Sequence, residues 1–65
     1  MKTTITKLIY HNGSQFIEFN SIHGDLICIE GPFINDRQLP TGELILVHDE
    51  RNENDEIVHE IYVTY

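Results

Sequence analysis

His48, Glu50 and His59 are the residues of this chain whose types and spacing come nearest to a chemical site. Two imidazoles and a carboxylate can hold a divalent metal while leaving coordination positions open, which suits metal-assisted or enzymatic chemistry. Whether they meet depends on the loop between them. A two-residue loop at Glu53-Asn54 would set His48 opposite His59, pair Arg51 with Glu56, and leave Glu50 beside both rings. A four-residue loop would keep the two rings on one face but offset them. A three-residue loop with a bulge would separate them. The simpler expectation is a pair of hydrogen-bonded histidines at the end of a small core, with no metal and no cofactor.

Other chemistry is thinly represented. The sequence holds no nucleophile elbow, phosphate-binding loop, CxxC pair or glycine-rich dinucleotide fingerprint. Ser14 and Ser21 show no His and acid arranged around them, and 65 residues leave little volume for a large apolar cleft. The expectation is a protein that is not an enzyme. His11 and His23 adjoin turns and should face solvent, and Arg37 should pair with Asp36 or Glu43.

The stretch that contains the three residues, "DERNENDEIVHE" at 49–60, is strongly acidic, and the whole chain carries a formal charge of −7. Few cations are available to displace counterions from phosphates, so direct nucleic-acid binding and anionic membranes are not expected. A basic protein surface is what this charge attracts. Asp49, Glu53, Asp55, Glu56, Glu60 and Tyr62 are the candidate contact residues, with the aromatic as anchor and the carboxylates as rim. Carboxylates spaced along strands can also imitate a phosphate row, so a nucleic-acid-binding protein is the expected kind of partner. In size and charge alone the chain resembles the small acidic inhibitors that phages and mobile elements direct at host nucleases. The bland alternative is a solvated turn whose charge aids solubility and blocks strand pairing at the edge.

The elements that must position these residues are strands. Ile, Val, Thr, Tyr and Phe are frequent, Ala is absent, and no stretch keeps helical spacing for three turns. Five strands are expected, at about 3–11, 14–21, 26–30, 43–49 and 56–64. Asn12-Gly13 and His23-Gly24-Asp25 mark turns, and 31–42 is a long loop with room for one helical turn. The predicted fold is a single all-β domain over 1–65: an antiparallel meander forming a curled sheet or small SH3-like barrel. Along the last strand Ile57, His59, Ile61, Val63 and Tyr65 should face the core. Glu56, Val58, Glu60, Tyr62 and Thr64 should face outward, beside Ile45, Val47 and Asp49.

"LICI" and "LILV" place apolar side chains on both faces of their strands, so each should be covered twice. With so small a core this points to a homo-oligomer, at least a dimer, and a self-assembling structural subunit is a further reading. Cys28, the sole cysteine, should be a small buried hydrophobe. Without disulfides or an apolar leader, the chain fits a reducing, cytoplasmic setting.

Overall fold

The computed structural model describes residues 1–34 and 43–64. Alternation of β-branched and polar side chains builds six strands there: β1 (Lys2–Lys7), β2 (Ile9–His11), β3 (Ser14–Asn20), β4 (Leu26–Glu30), β5 (Ile45–Arg51) and β6 (Ile57–Thr64). They form two three-stranded sheets, ordered β1-β6-β5 and β2-β3-β4. The all-β class expected from composition is correct, and no helix occurs among the described residues. The expected five-stranded meander is not. The first strand breaks at Leu8, whose side chain packs against the core, and its two halves join different sheets. No closed barrel is formed among the described residues, and β1 runs parallel to β6, against the expected antiparallel pattern. The helical turn anticipated near Ile34, the Arg37 ion pair and the inward Tyr65 lie wholly or mainly on residues outside those described.

Two turns follow directly from residue type. Asn12 and Gly13 both have positive φ, 50° and 80°, which is the type I′ geometry that suits the right-handed twist of a hairpin. They therefore pair His11 with Ser14 and start the β2–β3 ladder. At 21–25 the buried Ser21 hydroxyl accepts the backbone N–H groups of His23 and Asp25, each at 3.2 Å, and Gly24 supplies the positive φ. His11 and His23 are both exposed as expected, His23 within its turn and His11 as the last residue of β2.

The sheets close over a core of Ile17, Phe19, Ile34, Ile61 and Val63. Ile17 and Phe19 come from β3, Ile61 and Val63 from β6, so one strand of each sheet supplies most of it. The Gln15 side chain fastens the chain beyond β4 onto β3. Its Oε1 accepts from Phe33 N at 2.9 Å and Ile34 N at 3.2 Å, and its Nε2 donates to Ile34 O at 2.6 Å. Where the sheets meet, the Thr6 hydroxyl donates to Glu18 O at 3.1 Å.

β4 departs from expectation. Its pattern is one-sided: Ile27 and Ile29 are half-buried, while Leu26 is 70 % exposed and Cys28 is exposed. The reading of "LICI" as covered on both faces, and of Cys28 as buried, is thereby corrected. β4 stands at the end of its sheet, and the side facing away from the core has no second layer among the described residues.

Candidate functional site

The loop that was to decide the fate of His48, Glu50 and His59 takes the three-residue form. Asn52 N donates to Glu56 O and Asp55 N to Asn52 O, both at 3.0 Å, with Asp55 at φ 61°. This is a type I turn closed by a left-handed residue, which adds a bulge. The Asn52 side chain selects it: Oδ1 accepts from Asn54 N at 2.9 Å and Glu56 N at 3.0 Å. The register that results sets His59 opposite Glu50, and His48 opposite Ile61.

The separation expected of a three-residue loop does not follow: the extra residue Val58 restores the alternation, so the two histidines share the inner face, offset along it. His59 is fully buried; its Nδ1 donates to Glu50 Oε1 at 2.6 Å, and its Nε2 is hydrogen-bonded to the Thr4 hydroxyl at 2.7 Å. A carboxylate can only accept, so Nδ1 of the ring carries a proton. The same Glu50 oxygen accepts Ile22 N at 3.2 Å. One polar line thus ties β1, β6, β5 and the turn after β3. His48 instead rests on Phe19, ring centroids 5.4 Å apart, while Phe19 meets His59 edge-on at 6.0 Å. Among the described residues no three His, Cys, Asp or Glu side chains are grouped to hold a metal. Among the described residues, one open cleft lies over Gly13–Gln15 and Glu30–Pro32 and another over Ile22, His23 and 51–54. Neither is lined by Thr4, Glu50 or His59.

The outer face of the β1-β6-β5 sheet is a different environment. Tyr62 is paired with Ile5 on one side and Leu46 on the other, so the three side chains form a row across the sheet. Ile5 is 56 % exposed and Leu46 44 %, with Tyr62 half-buried between them. The next outward row along β6 is Thr3, Glu60 and Asp49. Asp49 and Glu60 are directly opposed like charges, an arrangement that costs stability in a free sheet. Arg51 Nε lies 3.5 Å from Asp49 and offsets the repulsion in part.

Asp49, Glu60 and Tyr62 thus share one outward face, as the strand alternation implies. Glu53, Asp55 and Glu56 stand apart at the hairpin tip, where Asp55 lies 3.5 Å from Arg51 and Glu56 accepts from the Asn52 side chain at 3.4 Å. Glu56 does not continue the Glu60–Tyr62 row, because the register slips between Glu50 and Arg51 and leaves Val58 as the extra residue. The same slip exposes Ile57, expected inside, to 37 %. A second slip at Val47 turns Ile45 and Val47 toward the core and Leu46 outward, reversing the expected neighbours of Tyr62. Thr4, Ile5 and Leu46 are the site residues that sequence reasoning missed. Thr4 to Lys7 alternates small polar and long side chains, a signal that could have placed Ile5 and Thr4 on opposite faces.

No protein-family model, curated protein or solved structure matches the chain. No helix among the described residues is long and apolar enough to cross a membrane.

Proposed function

We propose that this protein is a non-catalytic binding module that docks a basic protein surface on the outer face of β1-β6-β5. The observation that carries the reading is the Ile5–Tyr62–Leu46 row lying beside the opposed Asp49 and Glu60 carboxylates. An apolar centre with an acidic flank supplies both terms of an interface: desolvated contact for lifetime and charge for encounter. A cationic side chain seated between Asp49 and Glu60 would relieve a repulsion that the free protein carries. The acids at the hairpin tip, Glu53, Asp55 and Glu56, extend the negative field, and the favoured partner is a protein whose basic surface ordinarily holds nucleic acid. The alternative of a metal-binding or enzymatic protein built on His48, Glu50 and His59 has less support, since both nitrogens of His59 are engaged and its ring is fully buried.

The test compares variants in affinity capture from the source cells. A basic protein should be retained by the native chain and by the charge-matched control Glu18→Lys. It should be lost with Tyr62→Ala and Glu60→Lys, and displaced by added duplex DNA. Truncating an anchor of this kind costs about 2 kcal/mol or more of binding. Equal retention by all four chains, each folded by circular dichroism, would refute the docking face. Retention that DNA does not disturb would refute the nucleic-acid-binding class of partner.

A further inference from the structure

The edge of β4, which no further strand covers among the described residues, has a geometry that the docking face does not use. Two backbone hydrogen bonds, at opposite ends of the strand, fix which way its groups point. Ser21 N donates to Asp25 O at 2.8 Å and Gly31 N to Gln15 O at 2.7 Å. Residues 25, 27, 29 and 31 therefore address β3, and the N–H and C=O groups of Leu26, Cys28 and Glu30 point away from it. Among the described residues β4 has β3 as its single strand neighbour. Such an edge is a template for another strand.

The side chains say which strand. Ile27 and Ile29 face the core but stay half-buried, because nothing among the described residues flanks them at the edge. Leu26, on the opposite side of the strand, is 70 % exposed. We propose that a second copy of this chain pairs here, β4 against β4 in antiparallel register about a two-fold axis at Cys28, joining the two β2-β3-β4 sheets into one. In that register Leu26 lies opposite Glu30 of the partner subunit, and Cys28 opposite Cys28 of the partner subunit. Every outward N–H and C=O of Leu26, Cys28 and Glu30 then finds a mate. Sliding by two residues one way leaves fewer of them paired. Sliding the other way brings in Pro32, which has no N–H to give. A further slide sets Glu30 against its own copy, a like-charge contact.

On the core side, Ile27 comes to lie opposite Ile29 of the partner subunit. That pair falls at the closer, non-hydrogen-bonded spacing of about 4.5 Å between Cα atoms, which covers the half-exposed isoleucines. The two Cys28 residues take the wider spacing of about 5.5 Å with parallel Cβ directions, a poor fit to a disulfide. The thiols become neighbours within reach of a short linker, with no bond between them. This inference is independent of the docking face, which lies on the other sheet.

Sedimentation velocity and thiol cross-linking on the whole chain test it. The native protein should dimerise in the micromolar range, and a bis-methanethiosulfonate reagent with a spacer of one or two methylenes should join the copies through Cys28. Leu26→Glu, at an exposed position, sets a carboxylate against Glu30 of the partner subunit, twice in each dimer. It should weaken the dimer roughly tenfold, and Leu26→Glu with Glu30→Lys should restore it. A monomer at high micromolar concentration would overturn the proposal. A dimer that the reagent does not cross-link would do so too, whether or not the Leu26 variant folds. Failure of Glu30→Lys to rescue a folded Leu26→Glu chain would overturn the register.

Discussion

The two sheets meet in one core but treat their inner faces differently. The β1-β6-β5 sheet carries a polar line, Thr4–His59–Glu50, among its apolar residues, whereas the β2-β3-β4 sheet offers Ile17, Phe19, Ile27 and Ile29. The polar line can be satisfied in one register only, since a slip by one residue would bury the imidazole without partners. The apolar face has no such check between its strands, and its register rests on their ends: the Asn12-Gly13 turn, the Ser21-held turn and the Gln15 side chain. Outside, the order reverses. The sheet with the fixed interior presents a structured face, an apolar row beside a carboxylate row. The sheet with the apolar interior presents an edge, β4, that is uncovered among the described residues. Specific recognition is best built where the backbone behind it is pinned, and strand addition where it is not.

The largest way to break this contrast is His59→Ala. It opens a cavity and strands Glu50 and Thr4, with an expected loss of about 3 kcal/mol or more in urea denaturation. Ile17→Ala, a cavity without stranded polar groups, should fall within about 2–5 kcal/mol. Only the His59 change should also loosen the register, seen as faster amide exchange in both β1 and β5. If the two variants show the same exchange pattern, the polar line is not what pins that sheet.

A smaller effect sharpens the comparison of outer surfaces. Glu60→Gln removes the repulsion from Asp49 and should raise stability by a few tenths of a kcal/mol while weakening partner capture. A loss of stability would mean that the opposed carboxylates are not a cost. Salt separates the surfaces again. Binding through Asp49 and Glu60 should weaken as salt rises, whereas self-association of chains that each carry −7 should strengthen. The smallest change is Asp55→Gly. It relieves a left-handed residue at φ 61° but gives up the Arg51 ion pair, for a net gain of about 0.2 kcal/mol or less in thermal or urea unfolding, and it removes one carboxylate of the hairpin tip, which should slow partner capture slightly.

What could be read from residue types alone was local. Alternation located the strands to within a few residues, Asn12-Gly13 specified its turn, and the outward placement of Asp49, Glu60 and Tyr62 follows from the period of two. Val47 and Val58 were not legible as bulges, because a bulge is an extra residue and not a residue type. Each reverses the face of everything beyond it in its strand, which is why Ile45, Val47, Glu56 and Ile57 were misplaced. "LICI" misled for a second reason: an apolar run looks the same at a sheet edge as in a sheet centre. The Thr4–His59 contact joins opposite ends of the chain, and no window of sequence contains both.

The pairing of β1 with β6 has a kinetic consequence. Lys2 lies beside His59 and Lys7 beside Thr64, so this ladder closes nearly the whole chain as its loop. The β2–β3 and β5–β6 hairpins need only short closures and can form within microseconds. β1 must then find β6 at the entropic cost of the longest loop available, before His59 gains its hydroxyl partner. The chain is therefore expected to fold slowly for its size, with hairpins in place early and docking of β1 as the late step. Stopped-flow measurements on Thr4→Val should show faster unfolding with a nearly unchanged folding rate. A slowed folding rate would put β1 in the nucleus instead.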